Sequence, residues 1–480
     1  MKAAGAWTVV LAFALGGCVP ATPPHPATSA IVAPLSWRDS PAADNRIDPR
    51  WWRSFGDPYL NWLVETALVR NTDVLTAAAA VEASRAQLRL ARSALLPTLD
   101  AMANVTRSGM SAKGMSSAQT TAMPGVEAAW EIDLFGRLRA LTAAARLRYQ
   151  ASQADRDAMA LSVASQVCQA YFDLTAQDLQ LAVTRETLQS RIIELRLIED
   201  QERHGYVSKF EVTQARAEQE TIAQQVPVYE QGVRADENAL SVLVGQLPQG
   251  INRIADFRAF EPPPIPSTLP SALLRRRPDI ASAEYDLAAA DAVIAARRAD
   301  FLPQLNLMGM FGYSLSSAPA VPAARLWSVG GSILAPLFEG GALHANLDLA
   351  VAERDQAAFA YKAAVLEAFD EVETSLSAAR SFEEQIRIAR ERRATLKESI
   401  AHAVDRYREG YSTYLDQLDT QRNFYASQIA AVTVRRDQLS NLASLFVALG
   451  GGWSDEHVST SIDNPPPSQA VQPYASSPKD

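Results

Sequence analysis

The 480-residue chain contains few cysteines and few histidines. It contains only two cysteines, Cys18 and Cys168, so no disulfide framework is expected. The five histidines show no ligand spacing such as H-E-x-x-H, and no Gly-rich phosphate loop or G-x-S-x-G motif occurs. A net charge of −9 argues against a nucleic-acid partner. We therefore expect neither an enzyme nor a bound cofactor or metal.

Two long stretches lack both glycine and proline. They run from Arg137 to His204 and from Ala342 to Glu409, and glycine flanks each on both sides. Uninterrupted helices of that length would span roughly 100 Å, far more than a common globular helix. In the first stretch an apolar stripe recurs at intervals of three, four or seven: Ala164, Val167, Tyr171, Leu174, Leu181, Leu188, Ile192 and Leu195. The sequence predicts long coiled-coil helices, with Cys168 as a small buried hydrophobic residue.

After the N-terminus, no stretch reaches the ~18 apolar residues of a membrane-spanning helix. The apolar run from Trp7 to Gly16 follows Lys2 and is too short to span, which is typical of a signal peptide over residues 1–17. The segment LGGC ending at Cys18 resembles the lipobox of bacterial lipoproteins. We expect Cys18 to be lipidated and residues 18–50 to be extended; the alternative is plain signal cleavage beside an incidental cysteine.

Four segments alternate apolar and polar side chains, which predicts strands. The first pair covers about 98–108 and 125–135, with a small polar loop between them, and the second covers about 304–314 and 327–337. Trp130 falls on the apolar side of its segment, and the opposite side is acidic. Strands of ~10 residues have the length needed to cross a bilayer in a tilted barrel.

The chain repeats itself. Asp73–Pro97 matches Asp279–Pro303 at an offset of 206 positions, and the Gly205-Tyr206 turn matches Gly410-Tyr411 at an offset of 205. The predicted organisation is a first repeat over 51–250, a linker over 251–270, a second repeat over 271–453 and a disordered tail over 454–480. Within the repeats we predict long helices over 137–204 and 342–409 and return helices over 206–244 and 412–449, with a kink near Pro227.

Four strands cannot close a barrel alone, because an open edge in lipid leaves backbone groups unpaired. The expected fold is therefore mainly α with a small β part, in which duplicated long helices form an α-barrel and several chains pool their strands. The alternative for the strands is a soluble sheet over a core.

Five motifs together carry a family resemblance: Trp51–Leu60 (WWRSFGDPYL), Trp130–Arg137 (WEIDLFGR), Leu274–Ile280 (LRRRPDI), Ala335–Gly341 (APLFEGG) and Tyr407–Gln421 (YREGYSTYLDQLDTQ). The chain resembles the TolC-like outer-membrane efflux proteins of the lipoprotein branch. The resemblance implies a homotrimer with a 12-stranded transmembrane β-barrel. It also implies docking to a periplasmic adaptor and an inner-membrane pump, and a place in the outer-membrane lipid with an extension into the periplasm.

The same resemblance places a gate at the turn after the second long helix. Asp416 and Asp419 lie on one helical face and match the family's aspartate ring at the periplasmic constriction, which would repel itself, raise local pKa values and attract cations. From the residues alone, the alternative is that they favour the positive end of their helix.

Tyr407 matches the family's gate tyrosine, although packing at a helix end is the alternative. Glu211 is the internal-repeat counterpart of Asp416 and a weaker candidate for the same latch. Some family members carry an arginine two residues after the turn glycine, whereas this chain has Ser412; Arg406 and Arg408 are candidates to replace it.

These observations favour a passive exit duct for small molecules. A periplasmic adaptor or structural coiled-coil protein is the alternative, because adaptors also contain helical hairpins. Adaptors lack a duplicated strand–strand insertion, so heat-modifiable migration in detergent would separate the two classes.

Overall fold

The computed structural model describes residues 33–38, 47–113, 115–254, 256–265, 270–318 and 321–453. The predicted signal peptide, Cys18 and the tail lie outside the described residues. The chain divides into two compact units. The first includes Ala78–Gln153 and Ser282–Val365, and the second comprises the described parts of Val32–Ala77, Ala154–Ala281 and Leu366–Asp480. Among the described residues, no helix is long and apolar enough to cross a membrane.

The chain is mainly helical. In chain order its elements are α1 (Pro58–Arg70), α2 (Thr72–Ser93), β1 (Thr98–Ala112), β2 (Met115–Ile132), α3 (Arg137–Arg203), α4 (Lys209–Leu243), α5 (Pro270–Leu273), α6 (Pro278–Ala299), β3 (Gln304–Ser316), β4 (Ala324–Leu334), α7 (Ala342–Arg408) and α8 (Tyr414–Ala448). Two 3-10 helices, Trp51–Phe55 and Phe257–Ala259, complete the described elements.

The first unit holds one antiparallel sheet in the order β1-β2-β3-β4. The prediction of a polar loop at 109–122 is wrong, because β1 and β2 pair without a break up to Ala112 opposite Met115. Ladder hydrogen bonds use only backbone groups, so small polar side chains did not end the strands. The strand β2 ends at Ile132 rather than 135, because Asp133 turns back to accept the backbone N–H groups of Leu138 and Arg139 at the start of α3.

The register of the sheet places most of the β-branched and aromatic side chains of the four strands on one face. Cross-strand neighbours share a face, and on this one lie Leu99, Ala101, Val105, Val126, Ala128, Trp130, Leu305, Leu307, Phe311, Trp327, Val329 and Ile333. Trp327, Val329 and Ile333 are 74%, 83% and 73% exposed. The opposite face is mixed, and carries Asp100, Asn104, Glu127, Glu131, Asn306, Ser328 and Ser332 together with Met102, Met308, Met310, Leu326 and Leu334. The sheet is thus amphipathic, with its apolar face uncovered.

The two repeats contain helices of equal length. The long helices α3 and α7 each have 67 residues, and the return helices α4 and α8 each have 35. The return helices begin at Lys209 and Tyr414 rather than at 206 and 412, because Ser208 and Thr413 first cap them. The helix α4 continues through Pro227 as a single element.

An aromatic core stabilises the second unit. Trp51 is 1% exposed and stacks on Phe446 at 5.3 Å between ring centroids, and Phe55 and Phe172 pack beside them. Asp57 caps α1 by accepting from the N–H of Tyr59, and its other carboxylate oxygen accepts from the Tyr171 hydroxyl at 2.6 Å. The WWRSFGDP motif is therefore a packing and capping unit. Cys168 is fully buried, which confirms its predicted role, and burial raises the pKa of its thiol.

Candidate gate at the helical turns

The turns that follow α3 and α7 are built alike. Gly205 and Gly410 adopt left-handed φ values of 77° and 76°, which favour glycine. The next residue closes each turn through its backbone: the N–H of Tyr206 donates to Gln201 O at 2.9 Å, and that of Tyr411 donates to Arg406 O at 2.8 Å. This is a Schellman-type helix end, and it reverses the chain within a few residues.

A capping box then starts each return helix. Ser208 with Glu211 and Thr413 with Asp416 exchange hydrogen bonds between side chain and backbone. Glu211 and Asp416 therefore occupy equivalent positions, in agreement with the internal repeat. Each carboxylate has a local structural role before any role in a gate is considered.

Asp416 and Asp419 share the exposed face of α8. Tyr414 and Leu418, each 1% exposed, pack on the opposite face. The Asp416 carboxylate accepts from the backbone N–H and the hydroxyl of Thr413, both at 2.9 Å, and these bonds lower its pKa. The direction within one chain is thus opposite to the rise expected of a carboxylate ring. Within the described residues, Asp419 accepts a hydrogen bond from the Asn423 amide alone, at 3.2 Å.

Tyr407 lies against a small apolar cluster formed by Ile198, Val212, Ala215, Tyr414 and Leu418. Its ring centroid is 5.7 Å from that of Tyr414. Among the described residues its buried hydroxyl has no hydrogen-bond partner. Burial raises the pKa of Tyr407, and the charges of Glu211 and Glu194 raise it further, so Glu211 acts on Tyr407 electrostatically.

Ser412 occupies the position at which some family members carry the latch arginine. The hydroxyl of Ser412 is buried and has no partner within the described chain. Arg406 donates to the Tyr411 carbonyl oxygen at 3.4 Å, and in the part of the chain that the structure describes neither Arg406 nor Arg408 forms a salt bridge. The charge of Arg406 nevertheless contributes to the lowered pKa of Asp416.

Sequence reasoning missed a polar layer that joins α3 to α8 near these turns. Arg191, 6% exposed, pairs with Glu194 at 3.0 Å and donates to Gln421. Glu194 also accepts from Gln417 at 2.6 Å. The available signal was Arg191 beside the apolar stripe and two glutamines four residues apart next to Tyr414 and Leu418.

A second tie joins the two return helices. Arg422 of α8 donates to the carboxylate of Glu218 on α4 at 2.7 Å, and Glu218 is only 2% exposed. Charged groups removed from water need such partners. The two helical hairpins are therefore linked by specific polar contacts close to the candidate gate.

A duplicated chain with two very long helical hairpins and a sheet whose apolar face is uncovered has the features of a TolC-like outer-membrane channel subunit. The family model "Outer membrane efflux protein" matches residues 63–246 and 269–451. The chain belongs to this family. It is an outer-membrane efflux channel and not an enzyme, and the alternative of a periplasmic adaptor is rejected.

Individual relatives agree with this assignment. The chain is 34% identical to the antibiotic efflux pump outer membrane protein ArpC of Pseudomonas putida, covering 93% of this chain and 95% of ArpC. It is 31% identical to the pyoverdine export outer membrane protein OpmQ of Pseudomonas aeruginosa, covering 92% and 95%. The open state of the Neisseria gonorrhoeae MtrE outer membrane channel matches with a TM-score of 0.79 at 29% identity, covering 91% of this chain and 98% of MtrE.

Proposed function

We propose that three copies of this chain form the exit duct of a tripartite efflux pump. The duct would conduct small molecules passively from the periplasm to the exterior, with a periplasmic adaptor and an inner-membrane pump supplying and selecting the cargo. The observation that carries the proposal is the sheet: its apolar face is exposed, and β1 and β4 each have one edge that no described strand pairs with. In lipid those edges must pair, and three copies would give a closed 12-stranded barrel.

Cross-linking across the strand edges tests this assembly. Asn104→Cys on β1 and Ser328→Cys on β4 both lie on the polar face and at opposite edges of the sheet. A flexible bis-maleimide should join them between chains and yield covalent trimers on denaturing gels. The control pair, Ala129→Cys with Met308→Cys, lies directly opposite within one chain and should yield monomers only. Monomers alone from the edge pair would contradict the shared barrel.

We propose that Asp416 and Asp419 form the periplasmic constriction of this duct, with Tyr407 and Glu211 holding it. Support comes from the exposure of both aspartates on one face of α8 and from the contact of Tyr407 with the apolar cluster that includes Tyr414 and Leu418. Three copies would bring six carboxylates toward one axis, which attracts cations and repels anions.

Single-channel recording in planar bilayers tests the constriction. Replacing Asp416 and Asp419 together by Ala should raise conductance and reduce cation selectivity. Asp405→Ala is a matched control, since it removes an exposed carboxylate from α7 near the same turn. Conductance and selectivity identical to the parent would remove both aspartates from the gate.

We propose that the mature chain is anchored in the outer membrane by lipid on Cys18. The LGGC segment supports this assignment. Cys18→Ser should abolish incorporation of radiolabelled palmitate without preventing formation of the channel. Persistent labelling of the variant would disprove the lipid assignment.

A further inference from the structure

A cavity in the second unit lies apart from the gate. It has a volume of about 240 Å³ and is bounded by α3, α7, α8 and the Phe257–Ala259 turn. Its apolar floor includes Val183, Phe257 and Val432, which are 5%, 3% and 7% exposed. Four arginines also line the cavity: Arg258, Arg390, Arg393 and Arg435. A half-open apolar pocket with cations at its rim is an unusual arrangement for a structural core.

These four arginines are poorly compensated by carboxylates. Arg435 donates to the Phe260 carbonyl oxygen and to Gln438 Oε1, both uncharged acceptors. The one charged partner of the Arg258 guanidinium among the described residues is Asp256, at 4.0 Å. Arg390 and Arg393 form no hydrogen bond or salt bridge with any described residue.

The neighbouring Arg387 on α7, by contrast, is paired with carboxylates. Its guanidinium donates to Glu391 at 2.6 Å and to Glu384 at 2.5 Å. It belongs to the same helix as Arg390 and Arg393 but does not line the cavity. Arg392 and Lys397 of the same helix also form no salt bridge with a described residue, so this stretch of α7 is basic, and two of its arginines, Arg390 and Arg393, line the cavity.

The electrostatics of Arg435 report the same excess. Burial lowers its pKa, the charge of Arg390 lowers it further, and Glu261 opposes this only in part. Like charges held beside an apolar wall raise the free energy of the empty site. An anion placed among the guanidiniums would offset that cost with charge-assisted hydrogen bonds, which arginine forms readily with oxyanions.

We infer that this cavity binds a small anionic amphiphile, with a phosphate, sulfonate or carboxylate held by the arginines and one ring system or short alkyl chain on the apolar floor. The volume of the cavity limits the size of the ligand, since sites for drug-sized ligands usually measure about 300–1,000 Å³. The floor excludes a purely ionic ligand as the best occupant, because a bare anion would leave the apolar surface in contact with water. The site uses no residue of the candidate gate.

Titration of the full-length protein in a neutral detergent with 1-naphthyl phosphate tests the inference. Fluorescence anisotropy should show saturable binding, whereas inorganic phosphate and 1-naphthol should each compete only weakly. The double variant Arg390→Gln/Arg393→Gln should weaken binding at least about tenfold, a loss of about 1.4 kcal/mol. Arg387→Gln, the matched control on the same helix, should leave binding unchanged.

A second variant tests the floor separately. Ala389→Leu would fill part of the cavity and should weaken 1-naphthyl phosphate while leaving inorganic phosphate unaffected. Because Arg390 and Arg393 are exposed and unbonded, their replacement should leave the helical circular dichroism intact. Absence of saturable binding, equal weakening by Arg387→Gln, or inorganic phosphate binding as tightly as the naphthyl ester would each overturn the inference.

Discussion

The C-terminal parts of the two long helices have the same length and the same position in the repeat, but their environments differ. In α3, Val183, Arg191 and Ile198 are 5%, 6% and 2% exposed. In α7 the last buried residue is Ala379, and none of the residues from 381 to Arg408 is buried. Duplication therefore preserved the helix but not its packing.

The difference arises because α3 has a neighbour on each side. It pairs with α4 through Arg185 and Glu230 at 2.7 Å, and with α8 through the Thr184 and Tyr425 hydroxyls at 2.9 Å. The corresponding part of α7 presents mainly charged side chains. Variants that compare the two repeats can test how far they have diverged.

The largest effect is expected where a return helix ends. Gly450 has φ 92°, and an added Cβ would overlap the Arg276 carbonyl oxygen. Gly450→Ala should therefore destabilise the fold by about 4 kcal/mol, combining left-handed strain with a backbone clash. At the turn, Gly410 has φ 76° and open space around it, so Gly410→Ala should cost about 1 kcal/mol.

Thermal unfolding followed by circular dichroism measures both variants. The first repeat offers a matched pair, since Gly245 would meet the Arg70 carbonyl oxygen whereas Gly205 is free of neighbours. Gly245→Ala should therefore lower the unfolding midpoint more than Gly205→Ala. Equal midpoints for Gly450→Ala and Gly410→Ala would show that the closing glycine is not constrained as described.

The next largest loss of stability is expected at one of two Arg–Glu pairs, in each of which the residues are three positions apart. Arg191 and Glu194 on α3 are 6% and 13% exposed, whereas Arg387 and Glu384 on α7 are 54% and 58% exposed. Arg191→Met should destabilise by about 3 kcal/mol, because it leaves a buried carboxylate without its cation. Arg387→Met should cause no measurable shift, since water screens the exposed pair.

The double variant Arg191→Met/Glu194→Met sharpens this comparison. Removing both charges should recover much of the lost stability, because the cost comes from the unpaired Glu194. The unfolding midpoint again provides the measurement. A double variant less stable than Arg191→Met alone would show that the polar layer stabilises the hairpins in its own right.

The sequence predicted those features that depend on local pattern. Long runs without glycine or proline, the left-handed glycine turns and the duplicated landmarks all follow from backbone preferences that a residue carries wherever it lies. The alternation of apolar side chains likewise anticipated the sheet. Its outer ends at 109–122 were missed because backbone pairing extended a segment that has no apolar alternation.

Features that depend on contacts between distant segments could not be predicted. Arg191 and Glu194 look like ordinary surface residues until α8 is placed beside α3. The cavity is lined by Arg258, Arg390 and Arg435, which lie in three separate segments of the chain. The exposure of the last part of α7 was equally hidden, because its helical pattern matches that of α3.

A smaller effect concerns one position that differs between the repeats. Asp236 on α4 has a buried carboxylate oxygen without a partner among the described residues. Burial and the charge of Asp173 raise its pKa from 3.8 to about 6, against the opposing charge of Arg436. At the equivalent position, 205 residues later, Asn441 donates its amide to the Ser375 carbonyl oxygen at 2.9 Å.

The sign of the effect follows from proton linkage. The folded state binds the Asp236 proton more tightly than the unfolded state, so this group lowers stability as pH rises from about 4 to about 6. Asp236→Asn copies the second repeat and removes the penalty. We expect a gain of about 1 kcal/mol at pH 7, after allowance for partial solvent access, and no gain at pH 4. A gain that is independent of pH would contradict this assignment.

The smallest effect separates the capping role of Asp416 from its proposed role in the gate. Thr413→Ala and Ser208→Ala each remove the capping hydroxyl of an otherwise equivalent box, and each should cost about 0.5–1 kcal/mol of stability. If Asp416 also lines the constriction, Thr413→Ala should change single-channel conductance, because it removes one of the two hydrogen bonds that Thr413 donates to the Asp416 carboxylate. Ser208→Ala should change conductance less, because Glu211 is proposed to support the constriction and not to line it. An equal change of conductance in both variants would contradict a distinct role for Asp416 in lining the constriction.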